Sequence, residues 1–213
     1  TIQKNSIPEA YNGPMVSLQN IHKTFNPHSV NELTIFENFN LDILKDQFIS
    51  VIGSNGSGKT TILNLLCGSL PVDGGKILVK GQNITKMKEF QRAKFIGRVF
   101  QDPSKGTCPE LTILENMAMA EAKDKHFGLT FGVNRKRLDF YKSQLELLKL
   151  GLEDKLHIQV GSLSGGQRQA LALLIATMTP IDLLVLDEHT AALDPKSADN
   201  VMRLTDQFVK EKH

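Results

Sequence analysis

Phe48-Ile-Ser-Val-Ile52 runs directly into Gly53-Ser-Asn-Gly-Ser-Gly-Lys-Thr60, and Thr61-Ile-Leu-Asn-Leu-Leu66 follows. The short apolar run predicts a strand buried on both faces. The loop has the spacing G-x-x-x-x-G-K-[ST], and the stretch after it predicts a helix. Strand, glycine-rich loop and helix in this order are the context that a phosphate-binding loop requires. A chance turn of glycines and serines would need neither neighbour. The backbone N–H groups of Gly53, Ser54, Asn55, Gly56, Ser57 and Gly58 can wrap closely around phosphate oxygens, because glycine tolerates the tight turns. Thr61 opens a helix whose N-terminus adds partial positive charge. Lys59 should reach the β- and γ-phosphates of a nucleotide, and the Thr60 hydroxyl should ligate Mg²⁺.

Further along the chain, Leu183-Leu-Val-Leu-Asp187-Glu188 puts two acids at the end of a second apolar strand. Ligands of open α/β sheets bind outside the carboxyl ends of strands. Asp187 is therefore expected to face the metal, and Glu188 to polarise an attacking water. Read alone, the pair could be solvated acids at a strand end; the phosphate loop gives them a purpose. A third signal, Leu163-Ser-Gly-Gly-Gln167, precedes a helix expected over Gln169–Thr179 and ended by Pro180. Serine and glycines at a helix start make an anion-binding N-terminus, or simply an N-cap. A second phosphate site in a chain with one phosphate loop makes sense if it serves a nucleotide held by another subunit.

Outward from these motifs, Val16–Ile21 and Phe39–Ile43 read as strands separated by a loop at Asn26-Pro27-His28-Ser29. Lys76–Lys80 and Phe95–Phe100 also read as strands. Leu111–Glu121 has helical spacing. Leu138, Tyr141, Leu145 and Leu148 share one helix face, and Ser197–Lys212 is amphipathic with Val201, Leu204, Phe208 and Val209 on one side. Strands alternating with helices predict a parallel α/β core interrupted by a helical lobe at about 102–160. The polar residues 1–14 read as a tail or surface strap.

Composition narrows the function classes. Of 213 residues, 25 are Lys or Arg and 23 Asp or Glu, a net charge of +2, which is not the balance of a dedicated nucleic-acid binder. Hydrophobic residues at 40% and charged residues at 23% fit a folded globular chain. Cys67 and Cys108 cannot form a disulfide framework and point to a reducing compartment. The longest largely apolar stretch, Ala170–Met178, is far too short to span a bilayer, and no apolar N-terminal segment indicates secretion.

Taken together the motifs resemble those of the ATP-binding cassette (ABC) ATPases, the motor subunits of ABC transporters. The resemblance covers about Met15 to His213. It rests on GSNGSGKT, Val99-Phe-Gln-Asp-Pro103, LSGGQ, LLVLDE and Ala191-Ala-Leu-Asp194, in the family's order. It implies an α/β fold: a P-loop NTPase core with a parallel sheet, an antiparallel β subdomain and a helical subdomain carrying the signature. Residues 15–213 would form this ATPase domain. By resemblance, Phe25 stacks on adenine, although a Phe near a strand end is also an ordinary core residue. Gln101 touches Mg²⁺ and senses the membrane partner. Ser164, Gly165, Gly166 and Gln167 close on the γ-phosphate of the opposite subunit's ATP, and Asp194 couples the two sites. Lys59, Gln101 and Glu188 would carry the chemistry, with Thr60, Gln101 and Asp187 as metal ligands.

The chain departs from the family pattern at three points. His189 stands where D-E-P-T has proline, and is read as a subfamily feature rather than a base or ligand. Ala191 replaces a common serine. The family's switch histidine is missing: His213 ends a helix instead of following a strand, so it is not assigned that role. The chain is therefore expected to be truncated, to bind Mg-ATP and to turn it over slowly.

The resulting expectation is an ATPase subunit, peripheral on the cytoplasmic face of the cell membrane. It would pair head to tail with a second cassette, most simply a homodimer, and drive a separate permease. A free-standing cassette with short loops resembles bacterial uptake systems. A solute-binding protein in the same system and an amino-acid-type solute follow from that resemblance. The alternative is a soluble ABC-type ATPase unconnected with transport, but the interval from Gln101 to Ser164 leaves no room for a coiled-coil arm. A third reading, a nucleotide-binding regulator without turnover, sits poorly with Glu188. Between Lys123 and Lys142, six basic residues (Lys123, Lys125, Arg135, Lys136, Arg137, Lys142) outnumber two acidic ones (Asp124, Asp139), net +4. That segment could face anionic headgroups or be a solvated face of the helical lobe.

Overall fold

β1 (Val16–Phe25) and β2 (Leu33–Ile43) pair antiparallel through the loop at Asn26–Glu32, and β1 pairs on its other side with β3 (Gly74–Val79). With the short β4 (Gln82–Asn83) the sheet order is β2-β1-β3-β4, antiparallel throughout. This sheet belongs to the first of two units, 1–92 and 93–213. The computed structural model describes residues 11–123, 133–191 and 193–212.

Side-chain alternation on β1 buries Val16 and Leu18, then breaks and resumes at Ile21 and Lys23. The break is a bulge: the register shifts at Gln19–His22, and Asn20 has φ 49°. Gly75 lies against it with φ 91°, and a Cβ there would collide with the carbonyl oxygens of Gln19 and Asn20. Buried Lys23 is neutralised by Asp73 Oδ1 at 2.8 Å, while Asp73 Oδ2 accepts from the Thr24 N–H at 2.7 Å. Those two donors, Lys23 first, hold the Asp73 carboxyl below its ordinary range. α1 (Lys59–Cys67) buries Ile62, Leu65, Leu66 and Cys67. Its C-terminal carbonyls would be orphans. Arg92, at the end of α2 (Glu89–Arg92), donates from one guanidinium nitrogen to Leu65 O at 2.7 Å and Leu66 O at 2.9 Å. Arg92 is 2% exposed, so its charge survives burial only because main-chain oxygens surround it.

One expected element is not formed. Phe48–Ile52 has no β ladder among the described residues, and Phe48 and Ile52 are 75% and 90% exposed. Apolar composition supplies two faces for burial, but a strand also needs neighbours for its N–H and C=O groups. Neither edge strand of the first unit's sheet, β2 or β4, provides one.

The second unit holds a parallel pair, β5 (Ile96–Val99) and β6 (Leu183–Leu186), in register from Ile96 opposite Leu183 to Val99 opposite Leu186. Between them run α3 (Ile113–Glu121), α4 (Leu138–Glu146) and α5 (Gly165–Thr177); α6 (Pro195–Lys212) follows. Thr112 and Glu115 form a capping box that starts α3. The single-face pattern of α4 holds: Tyr141, Leu145 and Leu148 are buried in one cluster with Met117, Leu171, Leu174, Val201, Leu204 and Phe208. α5 starts earlier than the apolar spacing suggests, because Ser164 and Gln167 cap it reciprocally.

The basic stretch is only partly described, since Asp124 and Lys125 lie outside the described residues. Within it, Arg137 is engaged: it pairs with Glu121 at 3.0 Å and lies 3.8 Å over the Phe140 ring. Arg135 and Lys136 are exposed.

Candidate functional site

In the first unit, the loop Gly53–Thr60 leads into α1. Gly56 and Gly58 take φ 82° and 92°, where a side chain would be strained. A Cβ on Gly58 would also meet the Ile35 side chain. The Ser57 N–H donates to Ser54 O at 3.2 Å, and the α1 ladder starts with Ile62 N–H to Gly58 O at 2.9 Å. Lys59 bends back over the loop: Nζ donates to Gly53 O at 2.7 Å and Ser54 O at 2.9 Å. No side chain caps the N-terminus of α1, and Gly53–Ser57 and Thr60 are exposed. The result is an exposed, glycine-rich loop running into a helix N-terminus, with one ammonium seated on its carbonyls, suited to an anion with several oxygens.

Phe25 closes β1 opposite Leu33, with its half-buried ring 5.7 Å from Lys23 Nζ. The bend after it runs through Asn26 and His28, both at positive φ.

In the second unit, the chemistry-bearing residues gather at the carboxyl ends of β5 and β6. The Asp187 N–H donates to Val99 O at 3.0 Å, so the ladder continues one residue beyond β6. Asp187 Oδ2 accepts from Arg98 Nη2 at 3.1 Å. Glu188 is exposed and held at φ 43°, an uncommon conformation for a residue with a side chain. His189 turns inward, with Nε2 3.3 Å from Thr205 Oγ1 on α6. Gln101 is exposed just beyond β5. The carbonyl before it, Phe100 O, accepts from Gln169 Nε2 of α5 at 2.9 Å.

Ser164 is the N-cap of α5. Its Oγ accepts from Gln167 N–H at 3.3 Å, and Gln167 Oε1 accepts from Ser164 N–H at 3.2 Å. A Cβ on Gly166 would strike the Ser197 side chain, so the signature glycine lets α5 and α6 start side by side. Asp194 Oδ1 accepts from Ser197 N–H at 3.1 Å at the start of α6. Hydrogen bonds from Ser197 hold the Asp194 carboxyl below its ordinary range. The second unit thus brings Ser164, Gly165, Gly166, Gln167 and Asp194 to one place. Sequence reasoning did not single out Arg98 or Gln169. The signal was available: Arg98 is a charged side chain inside an apolar run and Gln169 a polar one at the edge of another, and each must find a partner when buried.

The donor set suits Mg²⁺. The ion prefers hard oxygens, keeps waters, and uses one or two carboxylates plus substrate phosphates. In the second unit Asp187 offers a carboxylate and Gln101 an amide oxygen; in the first, taken by itself, Thr60 offers a hydroxyl. Among the described residues no cluster of three or more His, Cys, Asp or Glu side chains is disposed for a metal.

Residues 36–191 match the family described as ABC transporter. The tyrosine transport ATP-binding protein of Clostridioides difficile (strain R20291) is 43% identical over 200 residues, spanning 93% of this chain and 79% of that protein. The phosphonates import ATP-binding protein PhnC of Lactococcus lactis subsp. lactis is 32% identical, spanning 92% and 80%. The ribose import ATP-binding protein RbsA of Streptococcus agalactiae serotype Ia is 30% identical; there the match spans 92% of this chain but only 38% of the relative. Among solved structures, the dimeric post-hydrolysis state of the cassette MJ0796 bound to ADP and Pi superposes with a TM-score of 0.76 at 27% identity, covering 92% of this chain and 84% of that one. The match to the family over most of the chain, together with the loop, strand-end acids and capped signature helix, shows that this chain belongs to the ABC transporter family, as one of its ATP-binding ATPase cassettes.

Proposed function

We propose that this chain binds ATP with Mg²⁺ and hydrolyses it as the energy-supplying subunit of a solute import system. The observation that carries this reading is the phosphate loop: an exposed Gly53–Ser57 stretch, two glycines at positive φ, and Lys59 Nζ on the carbonyls of Gly53 and Ser54. An incoming nucleotide takes Lys59 away from those carbonyls and gives it the β- and γ-phosphate oxygens instead. The N–H groups of Gly53 to Thr61 bind the remaining oxygens. Phe25 stacks on the base. Thr60, Gln101 and Asp187 would hold Mg²⁺, which would supply neutralisation of charge on the phosphates. Glu188, exposed at the strand end, accepts the proton of the attacking water.

The signature belongs to the same reading. Ser164, Gly165, Gly166 and Gln167 present a capped helix N-terminus to the γ-phosphate of a second copy's ATP, and Asp194 sits beside it. Support comes from the dimeric, ADP- and Pi-bound state of the structural neighbour. Residues 15–213 act as the ATPase domain, with residues of about 102–160 as the part that meets a membrane permease. The chain works peripherally, at the cytoplasmic face. None of its described helices is long and apolar enough to cross a membrane. The relatives named for tyrosine, phosphonate and ribose transport support import of a small solute. An amino-acid-type solute, delivered by a solute-binding protein, is the specific form we favour, from the relative that shares 43% identity.

The decisive experiment measures nucleotide binding and phosphate release by the chain and its Lys59→Ala variant. Removing the ammonium should abolish binding or turnover. Steady-state ATPase activity retained in Lys59→Ala would overturn the phosphate-loop assignment. Uptake of labelled tyrosine, against ribose and a phosphonate, by vesicles carrying the chain with its neighbouring permease tests the solute.

A further inference from the structure

A charged residue stands inside the short apolar strand β5. Arg98 lies opposite Val185 in the parallel ladder, and its side chain is 10% exposed. Its Nη2 donates to Asp187 Oδ2 at 3.1 Å, and the Asp187 side chain is 15% exposed. The guanidinium carbon lies 4.4 Å from the centre of the Phe100 ring, two residues on. The guanidinium is thereby held over an aromatic ring while one of its nitrogens reaches the carboxylate. The backbone of Asp187 is fixed as well, through its N–H to Val99 O. Main chain and one carboxylate oxygen are therefore both set by β5.

We propose that Arg98 is a positioning residue for the metal: it holds Oδ2 of Asp187 and thereby presents Oδ1 to Mg²⁺. This rests on the reading of Asp187 as a metal ligand. Carboxylates that ligate metals are themselves oriented by outer hydrogen bonds, and losing such a partner costs roughly 10–100-fold in metal affinity. The arginine also balances the Asp187 charge in a poorly solvated place. A purely architectural ion pair would change stability and leave the metal dependence where it was.

The test is the Mg²⁺ dependence of binding of a fluorescent ATP analogue to the full chain. Wild type, Arg98→Met, Arg98→Lys, Asp187→Asn and the double variant Arg98→Met/Asp187→Asn are compared, with folding checked by circular dichroism. Each variant's Mg²⁺ midpoint is read relative to its own binding in excess EDTA, because Asp187 belongs to the proposed binding site. The Mg²⁺ midpoint should rise about 10–100-fold in Arg98→Met. Adding Arg98→Met to Asp187→Asn should produce no further rise, because Arg98 acts through that carboxylate. An unchanged midpoint in Arg98→Met, with a raised one in Asp187→Asn, overturns the role of Arg98 alone. An unchanged midpoint in Asp187→Asn overturns the metal assignment and this proposal with it. Should Arg98→Met fail to fold, Arg98→Lys decides. It keeps the charge but lacks the guanidinium held over the Phe100 ring, so a raised midpoint supports the proposal and an unchanged one overturns it.

Discussion

His189 Nε2 lies 3.3 Å from Thr205 Oγ1, and the two residues are 8% and 4% exposed. The Thr205 hydroxyl donates to Val201 O at 2.9 Å, so its oxygen is left to accept. Nε2 therefore carries the proton of a neutral imidazole. Burial pushes the His189 pKa below the ordinary value. The unfolded chain then binds a proton that the folded chain resists. This histidine contributes stability that is complete above the unfolded pKa, about 6.5, and is lost as the pH falls through the folded value. Melting followed from about pH 7.5 down to about pH 5.5 should show an acid decline that flattens in His189→Gln, which keeps a donor but cannot titrate. Parallel declines in the two proteins would mean another group is responsible.

Phe25→Ala should weaken ATP binding. Base stacking on an aromatic ring is worth roughly 1–3 kcal/mol, a loss of roughly 5- to 150-fold in affinity. Because every base has a π-face, GTP and CTP should compete measurably for the wild-type chain. Titration with a fluorescent nucleotide decides the matter, and an unaltered dissociation constant removes Phe25 from the site.

Glu188→Gln should retain ATP binding and lose turnover by roughly 10²–10⁴-fold relative to the unmodified chain, since the amide cannot accept the proton. The variant should also accumulate as a dimer with ATP and Mg²⁺, because closure proceeds and resetting does not. Phosphate release and sizing chromatography read the two effects. A protein that stays monomeric at every concentration counts against Glu188 as the base.

Gly75→Ala should destabilise the first unit more than Gly56→Ala does. Both glycines sit at positive φ, where a side chain adds strain of roughly 1–3 kcal/mol. At Gly75 the new methyl group also meets the carbonyls of Gln19 and Asn20, whereas nothing lies within 4 Å at Gly56. Denaturant midpoints of the two variants should fall in that order. The reverse order would mean that the bulge of β1 relaxes freely.

The phosphate loop, the strand-end acids and the signature were legible in the sequence because each is a local arrangement with a fixed spacing. Gly53 to Thr60 need only their own backbone and the start of α1 to make a cradle. The helix faces were legible for a related reason. Tyr141, Leu145 and Leu148, or Val201, Leu204 and Phe208, record the 3.6-residue period whichever neighbour covers them. Apolar spacing places the start of α5 too late, whereas a side-chain cap at Ser164 sets it.

Partners distant in sequence were decided only by the tertiary structure. Phe48–Ile52 has a buried strand's composition and yet no ladder among the described residues, since pairing depends on which chain segments lie alongside. His189 stands out in the sequence only as an unusual residue; Thr205, one side of α6 away, gives it a proton position and a burial. Arg98 and Asp187 lie 89 residues apart in sequence and meet because β5 and β6 run parallel with Val99 opposite Leu186. By itself the sequence determined which groups the proposed phosphate and metal sites can draw on, because those motifs are contiguous. Which oxygen of Asp187 is held, and by what, was decided by strand register, a property that no single segment contains.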